Sequence, residues 1–291
     1  MIDSNEGHYD KRNTLNDLTG KQWLKLTRSY WISQKCKDDK FAFQHPAPFL
    51  IRDIESLISM FTKTGMRVLD PFSGLGTTLI AAHNLKRCGI GIELNPEYYN
   101  LTLKRLKELN IEPDSDIELI QGDSLDELSK ITQEIDYCVT SPPYHNILRN
   151  KGGGIRNPQD AHRTGARTGV EYYSDDTRDL GNQLTYESFL RLLRVIMKEV
   201  YRLLRPGGYC TIIISDFTVD KVEISVQSDI VSVMTSIDFE FSGTTVLIQE
   251  TKPLYPFGYP YAYKINHHHQ NLITFRKKKS AIRQQIASHT T

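Results

Sequence analysis

Val68-Leu69-Asp70-Pro71-Phe72-Ser73-Gly74-Leu75-Gly76-Thr77-Thr78 reads as a buried strand that breaks into a glycine-rich turn and opens a helix. In an open parallel sheet such a position is where ligands bind, because glycines let a small molecule approach the backbone N–H groups at a helix N-terminus. The turn lacks the Gly-Lys-Ser/Thr of a nucleotide-hydrolase phosphate loop, and the dinucleotide pattern Gly-x-Gly-x-x-Gly is incomplete. Taken alone it also reads as a tight strand-to-helix connection with no ligand. Two further strand ends carry acids. Glu93, in Gly91-Ile92-Glu93-Leu94-Asn95-Pro96, closes the next strand, where a carboxylate can accept both hydroxyls of a ribose. Asp123, in Gln121-Gly122-Asp123-Ser124, closes the one after and is placed to meet an exocyclic amine of a purine. Asp70, Glu93 and Asp123 thus fall along one sheet edge. Each also fits a helix N-cap, and for Asp123 that plainer reading is the stronger one.

Outward from this stretch, strand-like and helix-like runs alternate from residue 48 onward, the pattern of an α/β layer fold with a largely parallel sheet. The strand candidates are 66–70, 88–93, 117–121, 135–140, 209–215 and 239–249, and 271–276 closes the series. Pro48 opens a helix with Ile54, Leu57, Ile58 and Phe61 on one face; Asn95 and Pro96 form an N-cap and an N1 proline for another. The longest helix starts at Thr185 and is expected to stop at Arg205-Pro206-Gly207-Gly208; one more fits 224–236. No helix separates the last two strands, which predicts an antiparallel hairpin at the end of the sheet.

Three regions fall outside the alternation: a polar N-terminal extension over 1–44 with Trp23, Tyr30 and Trp31, a Gly/Arg-rich stretch over 144–183, and a Tyr/Phe/Pro-dense one over 254–270. Long irregular stretches inside a domain are usually functional or mobile. The catalytic domain is placed at 45–277, with a basic insertion at 145–183, and the residues from 278 to 291 form a basic tail expected to fray.

The 291 residues, 39% of them hydrophobic, can fill a sizeable core, and a formal charge of +1 means that any nucleic-acid partner must be argued from local charge. No apolar run approaches the ~20 residues of a bilayer span and the start lacks a signal-peptide core, so an intracellular, cytoplasmic protein without a membrane partner is expected. Cys36, Cys88, Cys138 and Cys210 show no Cys-x-x-Cys spacing. The run His267-His268-His269 has no distant Cys/His pair to complete a metal set, so no metal is expected.

The fourth strand ends in Val139-Thr140-Ser141-Pro142-Pro143-Tyr144. This motif resembles the catalytic motif of the S-adenosylmethionine-dependent amino methyltransferases that modify cytosine N4 or adenine N6 in DNA. His45-Pro46-Ala47-Pro48-Phe49 and the stretch from Asp70 to Thr78 resemble the family's segments at and ahead of its glycine-rich loop. The resemblance covers about residues 45–277, with the cofactor half first, similar to the gamma-type order. It implies a class I methyltransferase, Rossmann-like fold: a seven-stranded sheet, mostly parallel with an antiparallel terminal hairpin, and helices on both faces. It implies S-adenosyl-L-methionine as cofactor, held by His45, Pro46, Phe49, Asp70, Pro71, Phe72, Gly74, Gly76, Thr77, Thr78, Glu93, Asn95 and Asp123. Ser141, Pro142, Pro143 and Tyr144 are the expected catalytic residues.

An exocyclic amine is a poor nucleophile because its lone pair is delocalised into the ring. Hydrogen bonds from its protons to the Ser141 side chain and the Pro142 carbonyl would aim that lone pair at the sulfonium methyl. Two prolines fix the backbone in advance, and Tyr144 offers a face to a base flipped out of the duplex, a step costing a few kcal/mol. The Pro-Cys nucleophile of carbon-5 cytosine methylation is absent. Serine at the first motif position resembles the cytosine-N4 members more than the adenine-N6 ones. Adenine N6 is the nearest rival; RNA base methylation and a non-catalytic cofactor-binding subunit are the others. DNA is the expected partner, and a cognate restriction endonuclease is one that the resemblance allows.

Only a short tail follows the last strand, whereas the family usually places a separate recognition region there. Substrate contact is therefore expected from the irregular regions. From His145 to Val170, Arg149, Lys151, Arg156, Arg163 and Arg167 stand against the single acid Asp160, a pattern suited to clamping phosphates beside a flipped base. Phe257, Tyr259 and Tyr261 belong to the aromatic stretch, which reads equally as a stacking surface for bases or as a hydrophobic cover over the sheet end.

Overall fold

A computed structural model describes residues 7–40, 49–145, 176–219 and 222–279. Its strands are β1 (Tyr30–Ile32), β2 (Arg67–Asp70), β3 (Cys88–Glu93), β4 (Ile117–Gln121), β5 (Ile135–Thr140), β6 (Leu204–Ile214), β7 (Phe217–Val219), β8 (Val222–Ile224), β9 (Phe239–Ile248) and β10 (His269–Lys277). The helices are α1 (Gly20–Leu26), α2 (Ile51–Phe61), α3 (Thr77–Asn84), α4 (Pro96–Glu108), α5 (Ser124–Lys130), α6 (Tyr186–Leu203) and α7 (Val226–Thr235).

The strands read as continuous apolar runs because both faces of the sheet are covered. Leu69, Cys138 and Ile212 point to one side, against Leu128 of α5, Phe189, Leu193 and Val200 of α6, and Ile230 and Met234 of α7. Val68, Tyr137, Val139 and Ile213 point to the other, against Ile54, Ile58 and Phe61 of α2 and Leu79 and Ile80 of α3. Each such aliphatic side chain contributes roughly 1.5–3 kcal/mol by leaving water. Local signals set the helix starts. The Asn95 side chain accepts from Glu97 N–H with Pro96 at N1, and Thr185 and Ser188 form a reciprocal capping box at α6.

The main sheet runs β1-β9-β10-β6-β5-β2-β3-β4. β10 is antiparallel to β6 and to β9, while every other neighbouring pair is parallel. The fold is thus the expected methyltransferase-type α/β sheet, with two differences. The seven predicted strands are joined by an eighth, because β1 of the N-terminal extension pairs with β9 from Tyr30↔Val246 to Ile32↔Ile248. The β9/β10 hairpin is consequently not the sheet's outer edge. Trp23 and Trp31 explain the added strand: both pack on the α2 side of the core, and the Trp31 indole N–H donates to Leu26 O at 3.0 Å. The second difference is that β6 begins at Leu204, directly after α6, so the Arg205-Pro206-Gly207-Gly208 stop lies inside a strand start with a register shift against β5.

Among the described residues no helix is long and apolar enough to cross a membrane. The connections from β2 through β3 to β4 step one way along the sheet, and β5 and β6 lie on the other side of β2. That reversal is the switch point where the strand ends leave a crevice.

Candidate active site

The crevice at the carboxyl ends of β2 to β5 is an open cleft, the position where ligands bind in sheets of this kind. Its walls come from the turn after β2 (Pro71 to Leu75, with Thr77), from Glu93 and Asn95 after β3, from Asp123 to Leu125 after β4, and from Ser141 to Tyr144 after β5. Phe49 closes one side. Four segments that are distant in sequence thus meet because four parallel strands end at the same level.

Asp70 is buried beneath this wall and does not line the cleft. One carboxylate oxygen accepts from Phe72 N–H at 3.1 Å and from the Thr140 hydroxyl at 2.6 Å; the other accepts from the Thr78 hydroxyl at 2.6 Å. Burial pushes the carboxyl above the usual range, against the pull of these three bonds. The result is a bolt between the glycine-rich turn and the residue preceding Ser141. Thr78 serves that bolt rather than the cleft. Gly76 also lies outside the cleft wall: it caps α3 at φ 69°, and a Cβ there would stand 2.4 Å from the Thr102 methyl of α4. Close packing of α3 on α4 therefore demands this glycine.

Glu93 carries the electrostatics of the cleft. Its oxygens accept from Asn95 N–H at 2.8 Å and from Gly74 N–H at 2.7 Å. Burial pushes its pKa up to about 8, and the negative charges of Asp179 and Asp70 add to that, while the two N–H groups pull it down. Each oxygen keeps acceptor capacity toward the cleft. Asp123 caps α5, the plainer of its two readings, by accepting from Leu125 N–H at 2.9 Å, and it also borders the cleft. The Ser124 hydroxyl donates to Pro71 O and so ties the β4 turn to the β2 turn.

Tyr144 is 7% exposed, with its ring in the cleft wall. Its phenol oxygen accepts from Ser215 N–H at 3.2 Å and from the Gln270 amide at 3.3 Å, and Phe217 meets the ring edge-on at 5.7 Å.

Several functional candidates escape sequence reasoning. Arg178, Asp179 and Leu180 also line the cleft, as do Tyr98, Leu192 and Ile196. Asp179 is 4% exposed and accepts from Gly181 N–H at 2.8 Å. Nothing local marks it, because it sits in a Gly/Arg-rich stretch without periodicity. Arg105 on α4 is buried and donates to Leu75 O and Thr77 Oγ1, both at 2.8 Å, which braces the turn from behind.

His45 and Pro46, and Arg149, Lys151, Arg156, Arg163 and Arg167, lie outside the described residues. The aromatic stretch is described and is not a cover over the sheet. Tyr259, Tyr261 and Tyr263 are 80%, 95% and 88% exposed. Its base is clamped by Asn266, whose amide donates to Tyr255 O at 2.8 Å and whose carbonyl accepts from Tyr255 N–H at 3.0 Å. The stretch is therefore an arm held at its foot with its rings in solvent.

The family description that matches this chain is DNA methylase, over residues 2–104 and 135–290. Among curated proteins, the Type II methyltransferase M2.DpnII of Streptococcus pneumoniae is 38% identical over 104 residues, 35% of this chain and 37% of that protein. The orphan methyltransferase M.BamHII of Bacillus amyloliquefaciens is 43% identical over 74 residues, 25% of this chain and 28% of that protein. The matches thus span about a third of the length of these curated relatives. Among solved structures, TrmN from Thermus thermophilus aligns with a TM-score of 0.49 at 16% identity, covering 84% of this chain and 54% of that one.

Proposed function

The chain belongs to the DNA methylase family, and from that premise we propose that it transfers a methyl group from S-adenosyl-L-methionine to the exocyclic N4 amine of a cytosine flipped out of DNA. The observation that carries this reading is one cleft holding both halves of the chemistry: Glu93 and the glycine-rich turn on one side, Ser141 to Tyr144 on the other, with buried Asp70 between them.

The cleft fits the cofactor. Glu93 at its wall is a buried carboxylate with acceptor capacity unused by its two N–H partners, matched to the paired hydroxyls of a ribose. The bound cofactor supplies an electrophilic methyl on a sulfonium. Glu93, Phe49 and the β2 turn orient it, and Asp123 is placed for an exocyclic amine. The Ser141 hydroxyl and Pro142 carbonyl accept the protons of the target amine, so its lone pair is directed across the cleft at the methyl. The Tyr144 ring backs the base and keeps water from that wall. The first motif position favours cytosine over adenine.

Product analysis tests the reading. The protein is incubated with labelled cofactor and either DNA or RNA, and the nucleosides are separated by mass. Label in N4-methylcytosine is expected; label in N6-methyladenine overturns the cytosine assignment, and label only with RNA overturns the DNA one.

Recognition is proposed to rest on the five basic residues of the 145–170 stretch and on the aromatic arm. With a formal charge of +1 overall, the phosphate footprint is small. Five contacts give a slope of log affinity against log salt of about −4.5 on duplex DNA. Fluorescence-anisotropy titration across salt concentrations measures it, and a slope steeper than about −7 points to a far larger basic surface. The arm rings are exposed, so Tyr259→Ala with Tyr261→Ala should leave the urea midpoint unchanged. DNA affinity should weaken by about 1–3 kcal/mol for each base that stacks. Unchanged affinity in the same binding assay removes the arm from the substrate surface.

A further inference from the structure

The phenol of Tyr144 ends a chain of side-chain amides that methyl transfer does not itself require. Gln270 donates to the Tyr144 oxygen at 3.3 Å, and its own carbonyl accepts from the Gln249 amide at 3.3 Å. Ser215 N–H supplies the second bond to the phenol, at 3.2 Å, and the Ser215 hydroxyl donates to His269 O at 2.9 Å. Gln249 N–H donates to His268 O at 2.7 Å. The ring is thus tied to the ends of β6, β9 and β10, while its backbone leaves the end of β5.

Gln270 is 6% exposed, in a strand that also buries Asn271, Leu272, Ile273 and Phe275. A buried amide costs free energy unless its hydrogen bonds are made, and an apolar side chain of equal length would fill the same space without that cost. Stacking alone needs only a ring face, which phenylalanine would offer. The hydroxyl adds a fixed tilt, because two donors from different strands meet at one oxygen while Phe217 blocks rotation from the side. A ring aimed in advance spares the base the entropy of ordering it.

We propose that Gln270, braced by Gln249, is a positioning residue that holds the Tyr144 ring in the orientation against which the target base docks. This inference rests on the proposed role of Tyr144 in base binding, and its test separates the two. Protein labelled with ¹³C at tyrosine Cζ reports the phenol directly, with the Tyr144 signal identified by its loss in Tyr144→Phe. Gln270→Met removes the donor at similar length and is expected to move that signal. With labelled cofactor and DNA from a methylation-free host, Gln270→Met is expected to lower kcat by about five- to tenfold, the worth of one neutral hydrogen bond. Cofactor affinity by calorimetry should stay within about twofold, and Gln270→Met should cost nothing further in a Tyr144→Phe background.

An unmoved tyrosine signal overturns the proposal, as do losses that multiply in the double variant or a parallel loss of cofactor affinity. If Gln270→Met does not fold, Gln249→Met removes only the brace and should move the same signal by less; no movement there is equally fatal. Should the parent protein methylate no nucleic acid, the functional reading fails, while the tyrosine signal still decides whether Gln270 positions the ring.

Discussion

Ser141→Ala is expected to lower the rate of methyl transfer about a hundredfold or more while leaving cofactor affinity within about twofold. The hydroxyl is one of two acceptors proposed to hold the amine protons, the other being the Pro142 carbonyl, which no side-chain substitution removes. Acceptors fixed before the reaction act where charge develops, and losing one such polar group typically costs about 10²–10³ in rate. The residue borders the cleft at the end of β5, and Thr140 beside it is anchored by Asp70, so the substitution leaves the supporting bonds intact. The diagnostic is the split between constants. A fall confined to kcat supports an acceptor that works in the transition state, whereas a rise confined to KM assigns Ser141 to base binding alone. A variant that methylates at the parent rate removes the hydroxyl from the mechanism.

Glu93→Gln should weaken cofactor binding and flatten the dependence of stability on pH. The folded carboxyl sits at about 8, above the 4.5 of a free glutamate, chiefly through burial. Below the unfolded value both states hold the proton and its stabilising contribution is complete. As pH rises from about 4.5 the unfolded chain ionises first, and that contribution is lost progressively until the folded group ionises near 8. The parent protein without cofactor should therefore lose stability across this window, by an amount of the order of a few kcal/mol. Glutamine cannot ionise, so the variant should lose less over the same range; its NH2 cannot accept, so one of the donors from Gly74 and Asn95 loses its partner at every pH. Urea melts at pH 5, 7 and 9 measure this, and parallel curves for the two proteins would contradict the assignment of the shift to Glu93. Cofactor affinity should fall about tenfold or more, because a carboxylate accepting hydroxyls makes stronger, charge-assisted bonds than an amide. Calorimetric titration of the cofactor at pH 8.5 checks it.

The geometry explains why these two residues can be altered separately while Asp70 cannot. Ser141 and Glu93 present atoms to the cleft, so their loss is felt by whatever occupies it. Asp70 holds the hydroxyls of Thr78 and Thr140 and the N–H of Phe72, so its loss would unpin both halves together. The acid at the end of β2 resembles a ligand-binding residue in sequence. Its fully buried position between α3 and β5 shows that it supports the site from beneath.

Much of this was legible in one dimension. The boundaries of β3, β4 and β5 coincide with the apolar runs at 88–93, 117–121 and 135–140, since a strand covered on both faces must be apolar throughout. Asn95-Pro96 and Thr185 open α4 and α6 because capping involves only residues a few positions apart. Glu93, Asp123 and Ser141 could be assigned to one edge, since parallel strands joined by helices end on the same side. By contrast, β1 could not be foreseen: a three-residue strand carries no periodicity, and its pairing with β9 joins segments more than two hundred residues apart. The cleft wall at Asp179 escaped because its stretch has no periodicity.

The sequence by itself determined the strands from β2 to β5, where they end and which chemistry stands at those ends, because hydrophobic periodicity, caps and turns are properties of neighbouring residues. Only the tertiary structure decided which way each buried polar group faces: Asp70 inward to two threonines, Glu93 to the Gly74 amide, Tyr144 to Gln270. A buried polar side chain turns toward whatever satisfies its hydrogen bonds, and here those partners come from other elements, Gln270 lying 126 residues beyond the tyrosine it holds.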